Sequence, residues 1–353
     1  MQRVARTDER LAALRKPALL PTVQFELNPD DCLVVCAGFE DRAPGVLRNA
    51  LTASQGFTVI IIEYLPFIPE NRLEEIRALC SEAQLRTTEV KYDRQNPAGF
   101  GAVLLERVRG VGGRIFLDVS AMSRLLIVQS LVALRQRDCG FRHCVLTYAE
   151  ATRYPPSKEE VAAELRQSGK DPTYSILLLS SGVFDVTVVP ELSATATGGS
   201  QTRLVAFPTF SADQLTALRA ELQPSRFTFI QGIPPSTENK WRTSAIAKIN
   251  QLDTIPHESL NTGTLDYQET LDCLLQLYAK YSERERLLVS PTGSKMQTVA
   301  VGLFRAFLDD VQIVYPTPEE FTTPKNYTRG VSQMYSLPLD AFALTNQTQS
   351  LPT

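Results

Sequence analysis

The sequence predicts an α/β protein of two tandem parallel-sheet domains related by a pseudo-twofold axis. Short, nearly continuous apolar runs such as Val59-Ile60-Ile61-Ile62 alternate with amphipathic stretches, the rhythm of parallel strands covered by helices on both faces. Val34-Val35-Cys36-Ala37-Gly38-Phe39 and the helical run to Leu51 lie without a gap over Val205-Ala206-Phe207-Pro208-Thr209-Phe210 and the run to Leu222, a shift of 171 residues. The same shift carries Ser123-Arg124 onto Ser294-Lys295, and Phe57-Thr58-Val59-Ile60 answers Phe227-Thr228-Phe229-Ile230 at nearly that spacing. Surfaces facing each other across such an axis suit a ligand that is itself nearly symmetric.

In the first half, β-branched and apolar runs predict strands at 32–37, 58–62, 88–92, 114–118 and 143–148. Amphipathic stretches predict helices at 42–53, 70–83, 98–109, 123–137 and 158–167. The second half repeats the pattern, with strands at 204–207, 228–231, 286–290 and 312–315 and helices at 212–222, 238–250, 267–281 and 295–308. Its equivalent of strand 88–92 falls in a polar, irregular stretch, 252–264. The expected division is an N-terminal extension (1–31), a first domain (32–192), a linker (193–202), a second domain (203–338) and a poorly ordered polar tail (339–353). Apolar runs at 175–179 and 184–189 are expected to form a hairpin on the first domain.

At 353 residues, 43% apolar and 21% charged, the chain can fill two domains of about 150 to 170 residues each. A formal charge of −3 excludes the broad basic surface needed to coat long nucleic acid but allows a local basic pocket. Six cysteines without a CxxC pair and two histidines read as reduced core thiols, so no metal or cofactor is expected. No apolar run approaches about 18 residues, which points to a cytoplasmic protein with no membrane span.

In open parallel sheets, ligands collect at the carboxyl ends of strands, where helix N-termini attract anions. Two segments have that setting: Phe116-Leu117-Asp118-Val119-Ser120-Ala121-Met122-Ser123-Arg124 and Leu288-Val289-Ser290-Pro291-Thr292-Gly293-Ser294-Lys295-Met296. Their hydroxyls can cap a helix and reach a phosphate oxygen, Gly293 allows close backbone approach, and Arg124 and Lys295 add charge. Either segment alone reads equally well as an N-cap, whereas the matched pair points to ligand contact. Neither is a Walker A loop, because the earlier glycine is missing and no hydroxyl follows Lys295.

Further candidates have structural alternatives. Glu70-Asn71-Arg72 and Glu238-Asn239-Lys240 are either solvated helix starts or groups reaching adenine or ribose. Tyr148-Ala149-Glu150 with Tyr154-Pro155-Pro156, and Tyr315-Pro316-Thr317-Pro318-Glu319, are rigid strand exits or the walls of a base-stacking pocket. Arg329, in Asn326-Tyr327-Thr328-Arg329-Gly330, is a phosphate clamp or part of a turn. No catalytic residue can be assigned: His143 reads as a strand residue, His257 has no nameable partner, and no Ser-His-Asp order or HExxH motif is present.

Asp118-Val119-Ser120-Ala121-Met122-Ser123-Arg124 resembles the D-h-[ST]-x-x-[ST]-[KR] element of the CARF superfamily, Rossmann-like sensors of cyclic oligonucleotides, and of its tandem relative, the SAVED domain. Thr292-Gly293-Ser294-Lys295-Met296 is similar to that family's TGGTK-type loop, and Gly38-Phe39-Glu40-Asp41-Arg42 and Thr209-Phe210-Ser211 occupy its other ligand-facing loop. The resemblance spans most of residues 32–330 and implies two CARF-like domains. It places ligand contacts at Gly38, Phe39, Asp118, Ser120, Ser123, Arg124, Thr292, Gly293, Ser294 and Lys295. Val289 in place of Asp118 and Pro208-Thr209 in place of the Gly38 turn imply different contacts in the second half. No nuclease, protease or TIR signature is present, so an effector protein on a separate chain is implied.

Three classes of function are open. The first is a sensor or regulatory subunit that binds a cyclic oligonucleotide or other nucleotide in prokaryotic defence. The second is a nucleotide-processing enzyme such as a metal-independent phosphodiesterase, in which Ser120, Ser123, Arg124 and Lys295 would position a ribose hydroxyl and stabilise developing charge. The third is a non-binding scaffold for a helicase, ATPase or nuclease partner.

Overall fold

A computed structural model describes residues 16–167, 180–194, 201–321 and 328–342. Strand β2 (Cys32–Ala37) is buried at every residue and β3 (Thr58–Leu65) at most, as expected of a sheet covered on both faces. With β4 (Arg86–Asp93), β5 (Ile115–Asp118) and β6 (Cys144–Ala149) they form a parallel array in the order β4-β3-β2-β5-β6. Helices α1 (Gly45–Leu51), α2 (Leu73–Glu82), α3 (Phe100–Val108) and α4 (Arg124–Arg135) connect these strands, and α5 (Lys158–Gln167) follows β6. Alternation along β2 divides the interior, with Leu33 and Val35 packing beneath α1 and α2 while Val34 and Cys36 face α3 and α4.

The second array comprises β8 (Gln201–Ala206), β9 (Arg226–Ile233), β10 (Glu258–Gly263), β11 (Glu285–Ser290) and β12 (Gln312–Ile313), all parallel, in the order β10-β9-β8-β11-β12. Its helices are α6 (Ala212–Leu222), α7 (Trp241–Ile249), α8 (Tyr267–Tyr281) and α9 (Lys295–Phe307). Both arrays therefore read 3-2-1-4-5 in chain order, a Rossmann-like arrangement. Its reversal between the first and fourth strands opens a crevice at the strands' carboxyl ends, between β2 and β5 in one array and β8 and β11 in the other.

The arrays meet along α4 and α9. Leu125 to Leu134 on α4 and Met296 to Arg305 on α9 are buried without interruption, because each helix is enclosed by its own sheet and by the other helix. The two helices approach tightly at Gly302, where an added Cβ would lie 2.6 Å from Leu131 Cδ1 and 3.4 Å from Val128 Cα.

Several expectations are corrected. Strand β14 (Met334–Pro338), expected in the second domain, pairs antiparallel with β6, and β1 (Leu20–Thr22) of the N-terminal extension pairs with β14, so both enlarge the first sheet. Strand β7 (Ser180–Thr187) pairs antiparallel with β13 (Tyr315–Phe321), which follows β12 in the chain, in a separate two-stranded sheet rather than forming a hairpin on the first domain. The run 175–179 and residues 195–200 of the expected linker lie outside the described residues, and β8 begins at Gln201, inside that linker. The irregular stretch contains β10, an edge strand bonded only to β9, which explains its polar sequence. In the expected tail, Phe342 is buried against Phe307 and Tyr267, while residues 343–353 lie outside the described range. His143 sits before β6 rather than in it, exposed and with φ +61°. No described helix is long and apolar enough to cross a membrane.

The tight crossing gives a stability test. Gly302→Val is expected to destabilise the protein by about 1–3 kcal/mol through overpacking. Gly110→Ala, where an added Cβ meets nothing within 4 Å, should change stability by less than about 0.5 kcal/mol. Urea unfolding of both variants checks this.

Candidate functional site

The loops after β2 and β5 touch across the first crevice. A Cβ on Gly38 would lie 3.0 Å from Ala121 Cβ, so the absence of a side chain is what allows the approach. From β3, the Tyr64 hydroxyl donates to Ala121 O at 3.2 Å and accepts the Ser123 amide, which fixes the turn into α4.

The hydroxyls expected at a ligand are engaged within the protein. Ser123 Oγ caps α4 by accepting Leu126 N at 3.3 Å. Ser294 caps α9 in a full capping box with Gln297 and donates to Thr264 O at 2.5 Å. Ser120 is 0% exposed, donates to Asp118 Oδ1 and accepts Ala149 N at 2.8 Å. Thr292 Oγ1 donates to Phe207 O at 2.7 Å. These four residues order the loops in this conformation, and Ser120 is fully buried.

The cations behave differently. Arg124 Nε donates to Gly293 O at 2.6 Å, and Lys295 Nζ donates to Met122 O. Arg124 corresponds to Lys295 and Met122 to Gly293 at the 171-residue shift, so the two contacts are reciprocal. A third cation, Arg242 at the start of α7, grips the loop after β6. Its Nη1 donates to Tyr154 O at 3.1 Å and Pro156 O at 2.9 Å, and its Nη2 to Pro155 O at 2.7 Å. The guanidinium lies 4.9 Å from the Phe210 ring centroid and 5.3 Å from that of Trp241. Among the described residues, none of these three cations belongs to an ion pair. Burial pulls Lys295 down to about 7, with Glu40 opposing the fall and Arg42 and Arg124 adding to it. Burial likewise pulls Arg242 down to about 10.

Beside them lies a neutralised pair. Arg42, 3% exposed, holds Glu40 through Nε at 2.9 Å and Nη2 at 3.2 Å, and its Nη1 reaches Tyr148 OH at 3.1 Å and Ala149 O at 3.2 Å. Tyr148 and Tyr154 flank the guanidinium, with ring centroids 5.5 and 5.9 Å away and their hydroxyls 2.9 Å apart. Burial pushes the Glu40 carboxyl up, but Arg42 and Lys295 outweigh it and hold the group below its ordinary value. Asp118, 1% exposed, is raised to about 7 by burial, against the lowering effect of Ser120, Arg42 and Lys295.

The remaining candidates scatter. Phe39 is half-buried in the β2 loop. Arg72 N donates to Gly38 O at 2.9 Å, but its side chain pairs with Asp41 and Glu75; the buried Asn71 Oδ1 has no hydrogen-bond partner among the described residues. Asn239 and Lys240 are exposed before α7. Tyr315 and Ser123 line a cavity of about 60 Å³ together with Pro66, Arg94 and Thr317. Arg329 pairs its backbone with Arg153 in both directions at 3.1 Å. Sequence reasoning missed Arg242 entirely, because an arginine in the first turn of a helix reads as solvated and only its neighbour Trp241 hints otherwise.

No family model and no curated protein matches the chain. Among solved structures, similarity is found to a type III CRISPR defence DNA nuclease activated by cyclic oligoadenylate, at 12% identity and a TM-score of 0.48 over 81% of this chain. The match covers 65% of the nuclease chain, so this protein spans less than two thirds of its length. A second similarity is to the cytoplasmic domain of a prokaryotic cation chloride cotransporter, at 10% identity and a TM-score of 0.24, covering 82% of this chain and 97% of that one.

Asp118 yields a pH test. Its folded value lies above the ordinary 3.8, so its contribution to stability is full below that value and is lost as pH rises through about 7. Asp118→Asn is therefore expected to be more stable than the wild type at pH 8, by about 1–3 kcal/mol, with the difference vanishing toward pH 4. Denaturant midpoints across that range measure it.

Proposed function

We propose that this protein binds a phosphorylated nucleotide at the junction of its two sheets and acts as a sensor or regulatory subunit in prokaryotic defence. The observation that carries this reading is the set of three cations, Arg124, Lys295 and Arg242, that donate to backbone carbonyls and, among the described residues, belong to no ion pair, with Glu40 only partly offsetting the charge of Lys295. Desolvated positive charge that is only partly compensated is costly, and an anion placed beside these groups relieves the cost. Phosphate oxygens would replace neutral acceptors with ionised ones, which make hydrogen bonds about twice as strong. The shared strand order supports two related halves, and the resemblance at Asp118 to Arg124 favours a cyclic oligonucleotide as the ligand. On this reading the effector is a separate protein.

A scaffold role is the second reading. It is favoured by the engagement of Ser120, Ser123, Thr292 and Ser294 within the protein and by a neighbouring cavity of only about 60 Å³, far below the few hundred Å³ typical of a ligand pocket.

The two readings separate by calorimetry against linear and cyclic di-, tri-, tetra- and hexanucleotides. The sensor reading expects binding by at least one member, weakened about 5- to 150-fold by Arg124→Met or Lys295→Met. An adjacent anion raises the Lys295 value, so binding takes up a proton, and affinity should fall as pH rises through about 7. Lys295→Arg should bind without that pH dependence. Failure of the whole panel to bind would sink the sensor reading, and chromatographic detection of multiple turnovers would replace it with the enzyme.

A further inference from the structure

The junction combines a rigid seam with a weak clasp. The seam, α4 against α9, is buried along both helices in a core shared by the two sheets. The clasp, α5 against α7, closes over a satellite cluster whose buried members are Val161, Phe210 and Ala245, with Leu165, Trp241, Ile246 and Ile249 partly buried around them. Regions with few buried apolar contacts open locally at far lower free energy than a shared core. If occupancy of the junction moves anything, the clasp yields first.

Arg242 ties that clasp to the proposed site. The three carbonyls it holds are consecutive, Tyr154, Pro155 and Pro156, so one guanidinium sets the path of the whole loop. Tyr154 is the working end of the loop: its hydroxyl meets Tyr148 OH at 2.9 Å and Ala151 N at 3.2 Å, and its ring flanks Arg42. On its other side Arg242 lies over Phe210, which corresponds to Phe39 at the 171-residue shift. A single residue of the second half therefore positions the crevice loop after β6 and touches the loop after β8. Its planar fork matches three acceptors that an ammonium could not span.

We propose that the α5–α7 clasp is the moving part of the junction and that Arg242 is the positioning residue that gates it. An anionic ligand draws the guanidinium off the three carbonyls, residues 154–156 shift with Tyr154, and the α4–α9 seam stays in place. This rests on the anion-binding reading of the junction.

Trp241 is the only tryptophan in the chain, so its fluorescence reports the clasp. In the ligand-free protein, Arg242→Met is expected to raise acrylamide quenching of Trp241 by about twofold or more, with Arg242→Lys intermediate. The substitution alters the indole's own surroundings, so hydrogen exchange of residues 151–161 is measured in parallel and should accelerate, while β2 and β8 keep their protection. Pyrophosphate and cyclic tri- and tetra-adenylate are then added to the wild type, with binding recorded independently by calorimetry. A probe that binds should raise both signals, and Arg242→Met should abolish the response. A probe that binds and leaves both signals unchanged overturns the gate while the nucleotide reading stands. If no probe binds, the nucleotide reading falls for these ligands and the ligand-free arm decides the clasp: unchanged exchange at 151–161 in Arg242→Met overturns it.

Discussion

Each of two facing helices carries at its first position a cation that reaches the backbone carbonyl preceding the other helix, and the junction is organised around this exchange. A helix N-terminus is the unfavourable end for a cation, since its free N–H groups present partial positive charge. Arg124 and Lys295 escape that field by extending across the seam to Gly293 O and Met122 O. Those carbonyls lie in tight turns ahead of the capping serines, where an unpaired acceptor shielded from water would be costly. Each half thus completes the other's hydrogen bonding, and the loops after β5 and β11 are fixed relative to one another. The close approach at Gly302 sets the helix spacing that lets the two side chains reach.

The charges around this exchange are unequal in consequence. Arg42 and Glu40 cancel one another in a bidentate pair, the geometry in which a buried ion pair loses least on leaving water. Asp118 serves only as a partial counter-charge near neutral pH, because burial raises its carboxyl to about 7. Lys295 is left near Arg42 and Arg124 with Glu40 as its main opposing charge, and its ammonium falls to about 7. An anion entering here would meet a positive field in surroundings of low dielectric, where each interaction is stronger than at a free surface.

What the sequence revealed follows the range of each interaction. Uninterrupted apolar runs marked β2 and β3 because burial on both faces is local information, and the capping serines marked the starts of α4 and α9 for the same reason. Strand β10 was obscured because an edge strand needs fewer apolar side chains. The pairings of β14 with β6 and β7 with β13 join segments more than a hundred residues apart and leave no periodicity to read. At the site, sequence found the cations of α4 and α9 but not their acceptors, since a backbone carbonyl has no residue signature. Arg242 was hidden for that reason too, its three acceptors lying 86 to 88 residues away.

Equal strand order does not make the crevices chemically equal. Topology fixes where strand ends and helix N-termini meet, and both arrays share the 3-2-1-4-5 order. Side chains at those places are free to diverge, and at the 171-residue shift Glu40 faces Ser211, Arg42 faces Asp213, and Asp118 faces Val289. In the first crevice the charged Arg42 guanidinium holds the β2 loop by donating to Tyr148 OH and Ala149 O; in the second, Thr292 and Asn250 hold the β8 loop by neutral hydrogen bonds to Phe207 O and Thr209 O. A ligand spanning both would meet different side chains at the two sets of strand ends. The capping serines and the crossed pair of cations do repeat; each cation depends on a carbonyl in the other half, and changing one alone would leave its partner's loop with an acceptor unpaired.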